Sequence, residues 1–223
     1  MRYSGFTPYD IVLLLQGLGV TIALFAATTL IGLLIGALWA VIRYYRVPLL
    51  APLVLTLAEL LKNSPVLVQL FLVFFGFPGF FRITVTPVEA ALVTLSLNTA
   101  AFVYVIAVSG IESIGREQIE AARVFGLSRW QVLRHVVMKP AAAFAVGPLV
   151  ALAVNQLQVT SLISVIGVMD LAKVGAILNL RTLQPFVVWT AVGVLYFAAA
   201  KLVAVLGSRL ERRLRAGSAW RGA

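Results

Sequence analysis

The sequence is poor in charge, in histidine and in cysteine. Only 12% of its 223 residues are charged, it has a single histidine, and it has no cysteine, whereas soluble domains average about 25% charged residues. The lack of cysteine excludes disulfides and thiolate metal sites, and one histidine cannot form a metal cluster by itself. We therefore predict no metal site in this chain. We also predict no catalytic residue.

Apolar residues take the place of the missing charges and make up 61% of the chain. No charged side chain occurs from Ile11 to Ile42, and an apolar run longer than about 18 residues is the criterion for a spanning helix. The pattern predicts one all-α membrane domain over residues 1–223. Its spans are expected near Tyr9–Ile42, Leu49–Phe81, Pro87–Ile111, Ala141–Gln158 and Pro185–Leu206.

The stretch Val159–Gln184 between the last two spans is only mildly apolar and is rich in small residues. We expect it to be a re-entrant or surface segment, which requires protein or water to cover its irregular backbone. This interpretation leaves five crossings.

The net charge of +10 would suggest a nucleic-acid partner in a soluble protein, but its placement matters more here. Basic residues concentrate after the first span, in the loop Glu112–Pro140 and at the C-terminus. They are Arg43, Arg46, Arg116, Arg123, Arg129, Arg134, Lys139, Arg209, Arg212, Arg213, Arg215 and Arg221. Five crossings put all of them on the cytoplasmic side, the N-terminus outside and the C-terminus inside. We expect anionic lipid, and no nucleic acid, as the partner of the basic C-terminus.

The loop Glu112–Pro140 is polar and basic between two apolar spans, and its sequence predicts two short helices. Residues 117–122 and 129–137 are good helix formers. Gly126 suits a left-handed helix end, and Ser128 suits the cap of the second helix. A rigid helical projection of this kind is typical of a surface that docks into a groove on a soluble partner and transmits motion.

Four ordered segments carry a resemblance to a known family. They are Glu120-Ala121-Ala122-x-x-x-Gly126, Lys62–Phe71, Ser96–Phe102 and Thr160–Val168. The first resembles the EAA loop of the permease subunits of bacterial ATP-binding-cassette (ABC) importers, and the other three resemble segments of the polar amino acid permeases of the histidine, glutamine and arginine type. We call residues 112–140 the EAA loop from here on.

The resemblance implies a type I importer transmembrane domain in the bacterial inner membrane. The implied partners are two ABC ATPase subunits, a second permease subunit that is identical or related, and an extracytoplasmic substrate-binding protein. No Gly-Lys dipeptide occurs in the sequence, so a phosphate-binding Walker loop is absent. ATP and Mg are therefore expected on the partner ATPase, with no cofactor in this chain.

The resemblance also assigns candidate residues to two tasks. Those for ATPase coupling are Glu120, Ala121, Ala122, Gly126, Leu127, Ser128 and Arg129. Those for the substrate path are Glu59, Lys62, Asn63, Ser64, Gln69, Asn98, Asn155, Gln158, Thr160 and Ser161. Structural alternatives stay open for the second set, because Glu59 and Lys62 can neutralise each other and buried amides commonly hydrogen-bond neighbouring helices.

The sequence departs from the family pattern in the middle of the membrane. Val105 and Val108 occupy places where the family usually has Glu and Arg, and Gln158 and Val159 replace a usual Lys-Asp pair. Ionisable residues inside a span are costly and are normally kept for a ligand or an ion. Either this subunit is the less engaged half of a heterodimer, or its substrate is less charged than arginine or histidine.

Two other function classes fit the sequence less well. A membrane enzyme that modifies lipid would need clustered acids, histidines or metal ligands, and the eight acidic residues are scattered. A passive channel would line its spans with charged or carbonyl-rich rings, which are not visible. An importer for another small polar solute remains an alternative.

Overall fold

The computed structural model describes residues 5–219, and side chains up to residue 213. Its helices are α1 (Pro8–Tyr45), α2 (Leu50–Lys62), α3 (Val66–Phe81), α4 (Pro87–Glu112), α5 (Arg116–Val124), α6 (Arg129–Ile166), α7 (Leu171–Thr182) and α8 (Pro185–Ala219). No strand occurs within residues 5–219, which confirms the all-α prediction. Arg2, Arg221 and the side chain of Arg215 lie outside the described part.

Four helices are long and apolar enough to cross a membrane, namely α1, α4, α6 and α8, with mean hydropathy between 1.8 and 2.3. The pair α2 and α3 passes the same test together, so the described residues hold four candidate spans, or five if this bent pair counts as one span. Helix α7 has 12 residues and is about 18 Å long, well short of the roughly 30 Å of hydrocarbon in a bilayer. The prediction of about five spans is therefore confirmed.

The predicted second span, Leu49–Phe81, consists of two helices. It is broken, and α2 and α3 meet at an angle of 108°. Pro65 is extended, with φ −60° and ψ 130°, and a proline both lacks an N–H and disfavours the helical conformation of the residue before it. The chain therefore leaves the helix after Lys62 and restarts it at Val66.

Helix α6 also crosses the predicted boundary between the EAA loop and the fourth span, at Pro140. Helix α6 runs from Arg129 through Pro140 into the membrane without interruption. A π-helical segment, Val132–Val137, precedes this proline. Because proline cannot donate a hydrogen bond to the carbonyl one turn earlier, a local widening of the helix lets it continue.

Helix α4 lies at the centre of the molecule. In its apolar region 56% of the residues are buried, against 11% to 22% in the other three long helices. Its close neighbour is α1, on which Gly32 and Gly36 face the α4 backbone. A Cβ atom on Gly36 would lie 2.6 Å from the carbonyl oxygen of Ala100. The Gly32-x-x-x-Gly36 spacing therefore marks a helix contact within this chain.

Candidate coupling surface and transport path

The turn of the EAA loop is built around Gly126. Helix α5 ends at Val124, and Gly126 has a φ of +82°, a conformation that glycine adopts without steric cost. The Gly126 N–H donates to the carbonyl of Arg123 at 2.9 Å, and the Leu127 N–H donates to that of Ala122 at 3.2 Å. These two bonds satisfy carbonyls that the end of the helix leaves free, so the turn has a defined direction.

Ser128 caps the next helix, as predicted. Its Oγ accepts a hydrogen bond from the Gln131 N–H at 3.3 Å, and its own N–H donates to Gln131 Oε1 at 2.8 Å. This reciprocal pair is a capping box. The turn between α5 and α6 is therefore rigid at both ends.

The EAA loop has one buried face and one exposed face. On the buried face Ile119, Ala122 and Leu127 pack on a cluster that includes Ile114 and Val132. On the exposed face, large apolar side chains stand beside Glu120, Ala121 and Arg129. They are Val124, Phe125 and Trp130, exposed to 86%, 84% and 56%.

Apolar side chains exposed together on a polar surface are typical of a contact with another protein or with a membrane. Val124 and Phe125 were not among the predicted coupling residues. Their position directly before Gly126, at the end of an amphipathic helix, was the signal in the sequence.

Three of the predicted path residues meet at the bend between α2 and α3. The Gln69 side-chain amide donates to the Leu61 carbonyl at 2.7 Å, to the Ser64 carbonyl at 3.0 Å and to Ser64 Oγ at 2.9 Å. Asn98, from α4, donates to the Leu61 carbonyl at 3.3 Å and to Gln69 Oε1 at 3.4 Å. We call Ser64, Gln69 and Asn98 the bend cluster. It satisfies carbonyls that the broken helix leaves unpaired.

Glu59, Lys62 and Asn63 lie beside the bend cluster at the end of α2. Lys62 forms an ion pair with Glu59 at 2.8 Å, and the Asn63 amide donates to Glu59 Oε2 at 3.0 Å. The Glu59 side chain is 49% exposed. The pair is thus mutually neutralised at an accessible surface, and its role in the path stays a prediction.

The remaining path candidates lie at the far end of α6. Thr160 is buried and bonds back to the Leu157 carbonyl at 2.6 Å, and Ser161 bonds back to the Gln158 carbonyl at 2.8 Å. Asn155 and Gln158 are exposed. Within residues 5–213, no hydrogen bond joins this group to the bend cluster. The structure therefore separates the predicted path residues into two groups.

Gln156, which the sequence reasoning missed, is the buried amide of α6. Only 2% of it is exposed, and its amide donates to Thr28 Oγ1 at 3.3 Å and to the Leu95 carbonyl at 3.4 Å. It therefore joins α6 to both α1 and α4. Because polar residues surround it on both sides in the sequence, only the helix contacts distinguish it from Asn155 and Gln158.

Gln156 also lines a cavity of about 410 Å³ among α1, α4, α6 and α8. The other walls are mostly aliphatic, and the polar exceptions are Thr29 and Thr99. The hydroxyls of these two threonines are buried without a hydrogen-bond partner among the described residues. The cavity can therefore hold an apolar group.

Residues 32–216 match the protein family described as the inner membrane component of binding-protein-dependent transport systems. The chain belongs to this family. The predicted resemblance is thereby confirmed. The permease is a transport component and not an enzyme, because ATP hydrolysis in these systems lies in a partner subunit.

Several curated proteins resemble this permease over most of its length. It is 30% identical to the probable amino-acid ABC transporter permease protein YckA of Bacillus subtilis, over 92% of this chain and 89% of that one. It is 29% identical to the glutamine transport system permease protein GlnP of Escherichia coli, over 91% of this chain and 93% of that one. These relatives are permeases of amino acid transporters.

Solved structures have the same fold. One, of an amino acid ABC transporter with histidines, superposes with a TM-score of 0.83 at 27% identity and covers 90% of this permease and 94% of the matched chain. Another, of the MetNI methionine ABC transporter in an inward facing conformation, superposes with a TM-score of 0.79 at 20% identity. It covers 94% of this permease and 99% of the matched chain. The fold is therefore that of a type I importer transmembrane domain.

Two acidic residues of the permease that the sequence reasoning left out tie its helices together. Asp10, fully buried, forms an ion pair with Arg181 of α7. Asp170 caps α7 by accepting the Lys173 N–H at 2.9 Å, and it accepts the Tyr196 hydroxyl at 3.3 Å. Burial raises the pKa of the Asp170 carboxyl. An acidic residue directly before an apolar run was a capping signal in the sequence.

We expect Gln69→Leu to destabilise the permease by about 2–3 kcal/mol, because the carbonyls of Leu61 and Ser64 and the Asn98 amide would be left without their partner. Thermal unfolding in detergent measures this. Gln158→Leu makes the same change at an exposed position and should leave the unfolding temperature unchanged. A Gln69→Leu protein that unfolds like the wild type but loses substrate uptake would assign Gln69 to the path.

Proposed function

We propose that this permease belongs to an ATP-driven importer for a polar amino acid in the bacterial inner membrane. The observation that carries the proposal is the similarity, over about nine tenths of the chain, to permeases named for amino-acid and glutamine transport. The bent second span and the 3₁₀-helical segment Thr160–Ile166 at the end of α6 support it, since irregular helices are typical of solute paths in transporters.

The proposed assembly has two permease subunits, identical or related, on two ATPase subunits that hold ATP and Mg. The exposed face of the EAA loop, with Phe125 at its tip, docks into a groove on the ATPase. Closure of the ATPases then moves the loop and, through it, α6. The continuity of α6 from Arg129 into the membrane supports this route, because a rigid helix transmits displacement along its whole length.

The proposed orientation puts the N-terminus outside and the EAA loop in the cytoplasm, as the positive-inside rule requires. The extracytoplasmic binding protein then meets the opposite face, where α7 and the start of α8 lie. The ion pair of Asp10 with Arg181 holds the start of α1 against α7 on that side.

The proposed substrate carries little net charge. Val105 and Val108 pack against an apolar cluster that includes Trp39, Ala40 and Val54, so an apolar core fills the places where the family has ionisable residues. Burying a charged substrate group there would be costly. Either the substrate is neutral, or a related second subunit holds its charge.

The test is uptake by the complete transporter in proteoliposomes, with ATP inside and the binding protein outside. A panel of radiolabelled glutamine, arginine, histidine and a sugar distinguishes the substrate classes. We expect vanadate-sensitive uptake of glutamine, and lower uptake of arginine and histidine by a homodimer. Sugar uptake without amino acid uptake would overturn the substrate class, and uptake that does not require ATP would overturn the importer.

A further inference from the structure

A pocket of about 390 Å³ opens where the end of α1 meets the EAA loop. Tyr44, Tyr45, Arg46, Arg123 and Arg129 line it. These residues come from the end of α1, the last turn of α5 and the first turn of α6. Three guanidinium groups and two phenol rings therefore converge from three helices that are separate in sequence.

Among the described residues no arginine of this pocket forms an ion pair, since the pairs present join Lys62 to Glu59 and Arg181 to Asp10. An adjoining pocket that shares Tyr44 and Arg46 is also lined by Glu112, and the three arginines outnumber this carboxylate. Arg129 also stands at the first position of α6, where the helix dipole favours a negative charge. Both features favour a bound anion.

The Tyr44 hydroxyl gives a second, independent indication of a ligand. Its oxygen is buried and has no hydrogen-bond partner among the described residues, although a buried hydroxyl normally finds one. The ring is held in place by an edge-on contact with Tyr45, at 5.2 Å between centroids. An oxygen of a bound group would accept the hydroxyl proton and remove the cost of the unpaired donor.

The number and kind of donors point to phosphate. Arginine side chains present planar pairs of donors that match phosphate oxygens, and a phosphate has enough oxygens to engage several of them together with a hydroxyl. The pocket volume also exceeds what a single carboxylate would fill. We propose that this pocket binds a phosphate group, and that the headgroup of an anionic phospholipid is its main source.

The position of the pocket along α1 supports the lipid source. Arg43 and Arg46 are the first charges after the uncharged run Ile11–Ile42, so the pocket lies where lipid phosphates meet the end of a span. Tyrosines are enriched at that level of a membrane, and basic pockets beside spans bind anionic headgroups. The proposal depends on the membrane location of the chain and not on which solute it transports.

A bound phosphate would have a structural consequence for the EAA loop. Tyr44 and Tyr45 already pack against the cluster of Ile114 and Val132 under that loop. A ligand that joined Arg46 of α1 to Arg123 and Arg129 would hold the loop more firmly against the first span. The lipid composition of the membrane would then affect how the loop moves with the ATPase.

The experiment titrates the purified full-length chain in detergent with dioctanoyl phosphatidylglycerol, dioctanoyl phosphatidylcholine and inorganic phosphate, and measures binding by native mass spectrometry. We expect phosphatidylglycerol to bind in preference to phosphatidylcholine. Arg46→Gln and Arg123→Gln should each weaken its binding about fivefold, and Tyr44→Phe should weaken it by a similar factor.

The matched control is Arg134→Gln, which removes the same charge from an exposed position outside the pocket and should leave binding unchanged. Inorganic phosphate that binds as tightly, with the same sensitivity to Arg46 and Arg123, would support the site with a free anion as its source. Equal losses in the pocket and control variants would overturn the proposal. So would arginine variants that bind lipid normally but lose affinity for the ATPase, because the pocket would then be a subunit contact.

Discussion

Gly126→Val is expected to abolish most of the substrate-stimulated ATP hydrolysis of the assembled transporter while leaving the membrane helices folded. Gly126 has a φ of +82° and open space around the position of a Cβ atom, so the added side chain meets no neighbour. The effect comes from the backbone, because left-handed φ values cost about 1–2 kcal/mol for other residues and are most unfavourable for β-branched ones.

The expected size of this effect follows from the energy that links two coupled sites, which is typically about 1–3 kcal/mol. A strain of similar size at the turn would redirect Phe125 and the end of α5 and remove most of that coupling. We therefore expect at least a tenfold loss of stimulated hydrolysis. This loss corresponds to a coupling free energy on the order of 1.4 kcal/mol. Basal hydrolysis should persist, since the ATP site lies in the partner.

Gly115→Val is the matched control for Gly126→Val. Gly115 lies in the same loop, also has open space around its Cβ position, and has an ordinary φ of −55°. It should keep stimulated hydrolysis close to the wild-type value. If both variants keep stimulation, the loop does not couple through the Gly126 turn and that assignment is wrong.

Gly36→Leu is expected to destabilise the permease by forcing α1 away from α4. A Cβ atom at Gly36 would lie 2.6 Å from the Ala100 carbonyl oxygen and 2.6 Å from Val103 Cβ. One of these contacts is backbone of α4, so the two helices must separate. Overpacking costs about 1–3 kcal/mol, and at its upper end the unfolding temperature should fall by about 6–12 °C for a chain of this size.

Gly19→Leu is the control on the same helix. A Cβ atom at Gly19 would meet nothing within 4 Å, and leucine has a higher helix propensity than glycine, so unfolding should occur at the wild-type temperature or slightly above it. Unfolding in detergent, followed by size-exclusion chromatography after heating, measures both variants. A Gly36→Leu protein as stable as Gly19→Leu would show that the contact of α1 with α4 is not close-packed.

The local features of this permease were readable from its sequence because their causes are local. Hydropathy located the spans, and a left-handed glycine and a capping serine located the turn at Gly126 and Ser128. The behaviour of the chain at its prolines was harder to predict. Pro65 and Pro140 are both breaking signals, yet the chain bends sharply at the first and continues through the second, because a π segment accommodates Pro140.

The roles of the polar residues inside the membrane could not be predicted from local sequence signals. Gln69 and Asn98, 29 residues apart, proved to be hydrogen-bonded across a bend, and Gln156 meets Thr28 across 128 residues. The ion pair of Asp10 with Arg181 spans 171 residues. An amide in an apolar run looks the same in sequence whether it joins two helices or faces a solute.

The sequence by itself determined that the chain lies in a membrane, that its EAA loop is helical and exposed, and which family it resembles. Each of these depends on composition, charge or residues close together along the chain. Only the tertiary structure decided which glycines bring α1 against α4, which amides hold the bent span together, and that three arginines line one pocket with Tyr44. These features depend on contacts between residues far apart in sequence, because such contacts exist only when the helices are packed.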